Sequence, residues 1–426
     1  MLFRTPEKTL DAGPAPERRR QVSEVLQEAV KGSDAYLFVR RAVKREEGVL
    51  RVGNLFLREE ELREIAFIAV GDAAAPMAQG LHDALGEALT QGFVAGPMPP
   101  PGTWPFRYFP VVEPTFPSPE GVAVADHALE LARELGEKDL LIPLLSSGAL
   151  GMLSAPPPGL PREEYASLLG RVAEAPAAET LLPTVAGMFG RAQGGRLSEA
   201  AGSARVEALL IDEGRGGELL GGGPTVPVLP ERRRAALAAL REMGVPSLPT
   251  PLLRSVEAAP SAPSERHHSV VVGGVADALE AAGSEAADHK HRPRLLELHD
   301  PSPPGELARQ LGRTVEEMWA RLPSREGEGI ALFLGASFGR PEGAVTSRDL
   351  AEFLSAARQA LLHRRVEVGA LVTCGSIRAS LEPSGGLIDA ETPFDPSAFL
   401  AGGSGALDLR PGFSAVGAVV TAYLTH

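Results

Sequence analysis

Ser146-Ser147-Gly148-Ala149 stands at the end of an apolar run, Leu140 to Leu145. Two hydroxyls and a turn of small residues can present O–H and backbone N–H groups to an anion, because no bulky side chain covers the chain there. Phosphate or carboxylate binding is the chemistry this invites. A tight strand-to-helix turn with no ligand is the plain alternative. A second apolar run, Ile65 to Val70, ends at Gly71, and Asp72-Ala73-Ala74-Ala75-Pro76 then opens a helix. Asp72 there suits a helix cap and would repel a phosphate. His267-His268 and His289-Lys290-His291 lie in polar connections. They read as solvated, because no matching Cys or acidic spacing accompanies them. Cys374 reads as packing at a strand end. No Ser/His/Asp constellation can be defended.

The elements that must position these residues alternate. Ile65–Gly71, Leu140–Leu145 and Arg205–Asp212 read as buried strands. Helices are expected over Glu17–Val30 (ending at Gly32), from Asp72 to about Leu89, and over Pro119–Leu135, Gly159–Ala175, Glu179–Gly190 and Pro230–Met243. Tyr36–Val43 and Val49–Leu57 read as two short strands. Pro97–Pro119 reads as an irregular crossing, and Pro246–Arg266 as a domain connection. Beyond it, strands Ser269–Val272, Gly329–Leu334 and Val366–Val372 alternate with helices Val275–Ala287, Gly305–Leu322 and Ser347–Leu362. Strands alternating with helices in both halves predict two α/β domains, with a cleft between them as the natural site.

The 426-residue length fits two domains. The net charge of −13 disfavours nucleic acid. One cysteine excludes an intrachain disulfide and fits a reducing compartment. No apolar run is long enough to span a membrane, and the N-terminus lacks an apolar signal core, so a cytoplasmic location is expected. Lysine occurs only at positions 8, 31, 44, 138 and 290, which limits the choice of a phosphate-binding lysine.

In order and spacing, several blocks resemble the glycerate 2-kinases of the MOFRL type, also labelled hydroxypyruvate reductases. They are Leu144–Pro156 with Gly159-Leu160, Gly194-Gly195-Arg196-Leu197, Gly223-Pro224-Thr225-Val226-Pro227, and Leu387-Ile388-Asp389-Ala390-Glu391-Thr392. The resemblance spans about Ile65 to Tyr423. It implies an N-terminal Rossmann-like three-layer α/β domain, a smaller C-terminal α/β (MOFRL-type) domain and a cleft between them. The expected boundaries are 1–45 for an N-terminal extension, 46–250 for the first domain and 265–426 for the second. It further implies transfer of the ATP γ-phosphate to D-glycerate with Mg²⁺.

The charged positions of that family are mostly replaced. Its G-K-A lysine falls at Asp72. Its S-G-G-G-S loop reads Ser146-Ser147-Gly148-Ala149-Leu150. Its Arg-Lys-His run falls at Ala186-Gly187-Met188, and a later Lys at Gln193. Its acidic block shrinks to Ile211-Asp212-Glu213, and the aspartates of its G-T-D-G-x-D-G segment are absent from Thr373–Leu381. Phosphoryl transfer depends on such cations and on acidic or hydroxyl ligands for Mg²⁺. The expectation is therefore a degenerate homologue with weak or lost kinase activity; a non-catalytic small-molecule or protein-binding scaffold is the alternative. On this reading Arg196 and Arg191 are the catalytic candidates. Ser146, Ser147, Gly148 and Thr225 form the nucleotide or anion site, and Asp212 the metal site. Mg²⁺ and ATP are cofactors only if the family activity is retained. Expected partners are a small anionic molecule or nucleotide and a second copy of the chain in a homodimer, with no nucleic acid and no membrane.

Overall fold

The computed structural model describes residues 3–4, 10–11, 16–111, 117–175, 178–212, 223–245, 248–260, 264–297, 302–320, 330–336, 347–361, 366–372, 385–389, 393–401, 406–409 and 418–424. The protein divides into two compact units. One is essentially residues 35–272; the other joins 1–34 to most of 273–426. The sequence reading set 1–45 apart as an extension and placed a connection over 246–266, whereas the chain changes unit at 34/35 and 272/273.

The unit of residues 35–272 is built on a six-stranded sheet. Its spatial order is His267–Gly274, Arg205–Asp212, Asp139–Leu145, Glu64–Val70, Gln91–Gly96 and Arg107–Pro110. The four pairings from Arg205–Asp212 to Arg107–Pro110 are parallel. Parallel strands need helical crossovers on the faces, so their side chains are buried on both sides. Accordingly every residue of Asp139–Leu145 is buried, and all of Glu64–Val70 except its first residue. Pro143 interrupts the ladder, since it has no N–H to donate. Leu141 pairs with Val206 and Leu144 with Leu209, and pairing lapses between them. Ile68, Val70, Leu141, Leu145, Val206 and Leu210 pack with Val124, Ala128 and Leu129 of the helix Pro119–Glu134.

Two local expectations are corrected. Tyr36–Val43 is not a strand. Residues Ala35–Ala42 form a helix, because Ala35, Phe38, Val39 and Ala42 repeat at helical spacing and bury one face. Val49–Leu57 is not one strand but two, Val49–Val52 and Leu55–Arg58, hinged at Gly53-Asn54 and paired antiparallel. The proline-rich crossing carries a strand, Arg107–Pro110, and the expected connection carries a helix, Thr250–Glu257.

The second unit holds a seven-stranded mixed sheet. Its order is Phe3–Arg4, Ala406–Leu409, Gly385–Asp389, Val366–Val372, Ala418–Leu424, Ile330–Ala336 and Arg292–Glu297. Only the last two run parallel among the described pairings. The helix Pro16–Gly32 packs on Val275–Asp288 through Val22, Val25, Leu26, Ala29 and Ala278, Leu279, Ala282, Ala286. Within this unit Arg19 and Asp389 form an ion pair across 370 residues of sequence, 2% and 4% exposed. Removing one member of a buried pair strands the other charge. Asp389→Ala should therefore cost about 3–5 kcal/mol. The expected result is a lowered urea midpoint at unchanged slope for the transition of this unit.

Candidate functional site at the sheet crossover

The strand order turns back on itself between Glu64–Val70 and Asp139–Leu145. The strands that follow Glu64–Val70 in sequence run to one edge of the sheet, and those that follow Asp139–Leu145 run to the other. In open parallel sheets ligands bind at the carboxyl ends of the strands flanking such a reversal. The two stretches singled out by sequence, Gly71-Asp72 and Ser146-Ser147-Gly148, meet there.

Their contact is close and leaves little unoccupied. The Asp72 N–H donates to the Ser147 carbonyl at 2.7 Å, and the Ser146 N–H to Val70 at 3.2 Å. The Ala73 N–H donates to Ser146 Oγ at 3.0 Å. Ala73, not Asp72, is the N-cap residue of the helix Ala74–Leu85, and Ser146 supplies the capping oxygen from the neighbouring strand. Gly71 sits at φ +128°, and a Cβ on it would lie 2.6 Å from the Ser147 carbonyl oxygen and 2.8 Å from that of Ser146. Only glycine fits this approach. The Asp72 carboxylate lies against Gly148, with Oδ1 3.2 Å from where a Cβ on Gly148 would stand. A helix start beside a glycine turn ordinarily favours an anion; here it faces a carboxylate of its own chain.

The remaining candidates fall elsewhere in the same unit. Arg196 reaches the carboxyl end of the helix Ala178–Phe189. Its Nη1 donates to Gly187 O (2.7 Å) and Gln193 O (3.0 Å), and its Nη2 to Met188 O (2.9 Å), Ser255 O (2.6 Å) and Ser255 Oγ (3.1 Å). Burial lowers its pKa, partly offset by Tyr165, whose own pKa burial raises. The guanidinium is committed to carbonyls that a helix end leaves unmatched. Arg191 forms an ion pair with Asp126. The segment leading into Thr225 is joined to the glycine turn by Gly195 N–H to Gly223 O (2.9 Å) and Leu197 N–H to Pro224 O (3.1 Å), and the Thr225 carbonyl accepts from Ser198 Oγ at 3.3 Å. Its hydroxyl lies 3.0 Å from Ser269 Oγ. Asp212 ends its strand. Among the described residues no group of three carboxylate or imidazole side chains gathers about it at ligand distance. Glu213, Gly221, Gly222 and Cys374, also singled out by sequence, lie outside the described residues.

Sequence reasoning missed a groove of about 500 Å³ lined by Asn54, Glu207, Thr225, Val226, His267 and Ser269, among others. Glu207 is buried in its strand and accepts the Asn54 N–H at 3.1 Å; burial raises its pKa and lowers that of His267. The signal was an acidic residue between Val206 and Ala208, inside the buried part of the strand Arg205–Asp212.

A family model described as "Domain of unknown function (DUF4147)" matches residues 21–257, more than half of the chain. The chain belongs to this family. It is 28% identical over 204 residues to a D-glycerate 2-kinase of Thermotoga maritima, covering 47% of this chain and 46% of that one. It is 27% identical over 300 residues to a glycerate kinase of Danio rerio, covering 64% and 59%. The matched stretches thus span about half the length of these relatives. In structure it resembles a glycerate kinase of Thermotoga maritima with a TM-score of 0.73 at 19% identity, covering 95% of this chain and 99% of that one. A Pyrococcus horikoshii protein gives 0.70 at 18%, covering 96% and 98%. The sequence likenesses make the chain glycerate kinase-like; the structural ones establish the α/β fold.

Two outcomes follow from this geometry. Arg196→Ala leaves several buried carbonyls without a donor and should destabilise the protein by about 2–4 kcal/mol, measured by urea unfolding. Arg196→Lys should recover little of this, since one ammonium cannot span the same carbonyls. For Glu207 the folded pKa is raised, so the native state holds its proton more tightly than the unfolded chain. Its contribution to stability is present below the unfolded pKa and is lost as pH rises through the folded one. Urea midpoints of Glu207→Gln and wild type should therefore diverge in favour of the variant as pH rises across that range.

Proposed function

We propose that this glycerate kinase-like chain has weak or lost transfer of phosphate from Mg²⁺–ATP to D-glycerate. The observation that carries this reading is the Asp72 carboxylate against Gly148, at the crossover where phosphates would approach. A like charge there opposes the triphosphate, and the capping N–H of Ala73 is already taken by Ser146. The residues present do not fit Mg²⁺–ATP held in the way the family resemblance implies. Asp72 stands where a lysine is expected, Arg196 is bound to carbonyls, and Asp212 belongs to no described ligand group. Loss of one electrostatic donor commonly costs about 10²–10³ in rate, and several are replaced together.

The second reading is a non-catalytic scaffold that binds a small molecule or a protein. The buried Glu207 in its open groove supports it, as a carboxylate kept where no crossover chemistry uses it. A cytoplasmic location and a homodimer belong to this proposal. Among the described residues, no helix is long and apolar enough to cross a membrane.

Calorimetric titration with Mg²⁺–ATP, followed by an ADP-release assay with D-glycerate, tests the proposal. The expected result is little or no heat and no ADP above background, with tighter nucleotide binding in Asp72→Lys. Robust ADP release by the wild-type chain would overturn it.

A further inference from the structure

Outside both regions above, Glu24, Glu285 and His289 place three ligand atoms within 4.8 Å of one another. All three belong to the unit of residues 1–34 and 273–426. Glu285 and His289 are four residues apart, one turn of helix, at the carboxyl end of Val275–Asp288. Glu24 comes from the helix Pro16–Gly32. The two helices run antiparallel and very close. A Cβ on Gly32 would lie 2.6 Å from Ala281 Cβ and 2.8 Å from the Asp277 carbonyl oxygen. Counting back eight residues from Gly32, about 12 Å of helix, brings Glu24 level with Glu285 and His289. At that end Gln21 Oε1 also meets His291 Nε2 at 3.2 Å.

His289 Nε2 lies 3.0 Å from Glu24 Oε2 and 3.2 Å from Glu285 Oε1. Yet it is shielded from solvent and directs a hydrogen bond at neither oxygen. The imidazole nitrogen is thus held close to two carboxylates with no hydrogen bond to satisfy it, which leaves it available as a ligand. Ligands of one cation at about 2.0–2.2 Å, with angles from octahedral to tetrahedral, stand about 2.9–3.5 Å apart. Both separations fall in that range.

We propose that Glu24, Glu285 and His289 bind a first-row divalent cation of the Zn²⁺ type, with water completing its shell. An imidazole in the set selects Zn²⁺ and its neighbours over Mg²⁺, so this site is unrelated to any cation carried by a nucleotide. The cation joins the N-terminal helix to the helix Val275–Asp288. Because the unfolded chain lacks the arrangement, binding adds to the stability of this unit.

The test uses the full chain stripped with a chelator and titrated with Zn²⁺ by calorimetry, with thermal unfolding followed in parallel. One equivalent should bind and raise Tm, and Co²⁺ in its place should give the visible bands of a low-coordinate site. Glu24 is half exposed, with 52% of its side chain accessible, so Glu24→Gln should fold normally. Glu24→Gln and His289→Ala should each weaken binding about tenfold or more, whereas Glu28→Gln, on the same helix and outside the cluster, should leave it unchanged. Absence of Zn²⁺ binding, or equal binding by wild type and Glu24→Gln, would overturn the proposal. So would a Tm indifferent to Zn²⁺ that falls in both cluster variants, which would mark an ordinary ion-paired histidine.

Discussion

The carbonyl of Ser147 receives the N–H of Asp72, and the hydroxyl of Ser146 receives that of Ala73, across the seam between two parallel strands. This seam sets the geometry around the crossover. It requires a residue without Cβ at position 71 and fixes where the helix Ala74–Leu85 begins. It also aligns the two central strands whose side chains fill the core on both faces. The same bonds consume groups that a phosphate would otherwise use. Rigidity at the crossover and the commitment of its N–H groups to the chain itself therefore have one cause.

Charged side chains serve structural contacts in both units. Arg196 stands in a block that the family resemblance marks as functional, yet its guanidinium gathers the end of one helix, a glycine turn and Ser255 of another helix. Arg191 balances Asp126. Asp389, in another preserved block, pairs with Arg19. In each case a charged side chain holds separate segments together, a role that tolerates little change in position and requires no substrate.

Much of the framework was legible from sequence because its signals are local. The runs of Ile65–Val70 and Leu140–Leu145 are too short and too apolar for anything but buried strands. Their small-residue turns announced the crossover. Ala35–Ala42 was misread because Tyr36, Phe38 and Val39 favour strands by type, while the spacing of what is buried is helical. The partner of Asp72 was invisible because it depends on which strands become neighbours. For the same reason His289 read as solvated. Its acidic companions are one helical turn away and on a helix more than 250 positions distant in sequence, and no single linear spacing encodes both.

One unit is essentially a single stretch, residues 35–272, whereas the other joins residues 1–34 to most of 273–426. During synthesis the segment containing Val22, Val25 and Leu26 emerges first, but its packing surface on Ala278 and Ala282 emerges only after the whole intervening unit. At about 5–20 residues per second the delay is on the order of tens of seconds. Throughout it an amphipathic helix is left with its apolar face uncovered on the nascent chain. The strand that carries the partner of Arg19 arrives later still. A helix made early is thus buried late, because its packing surface lies on the far side of the other unit in sequence.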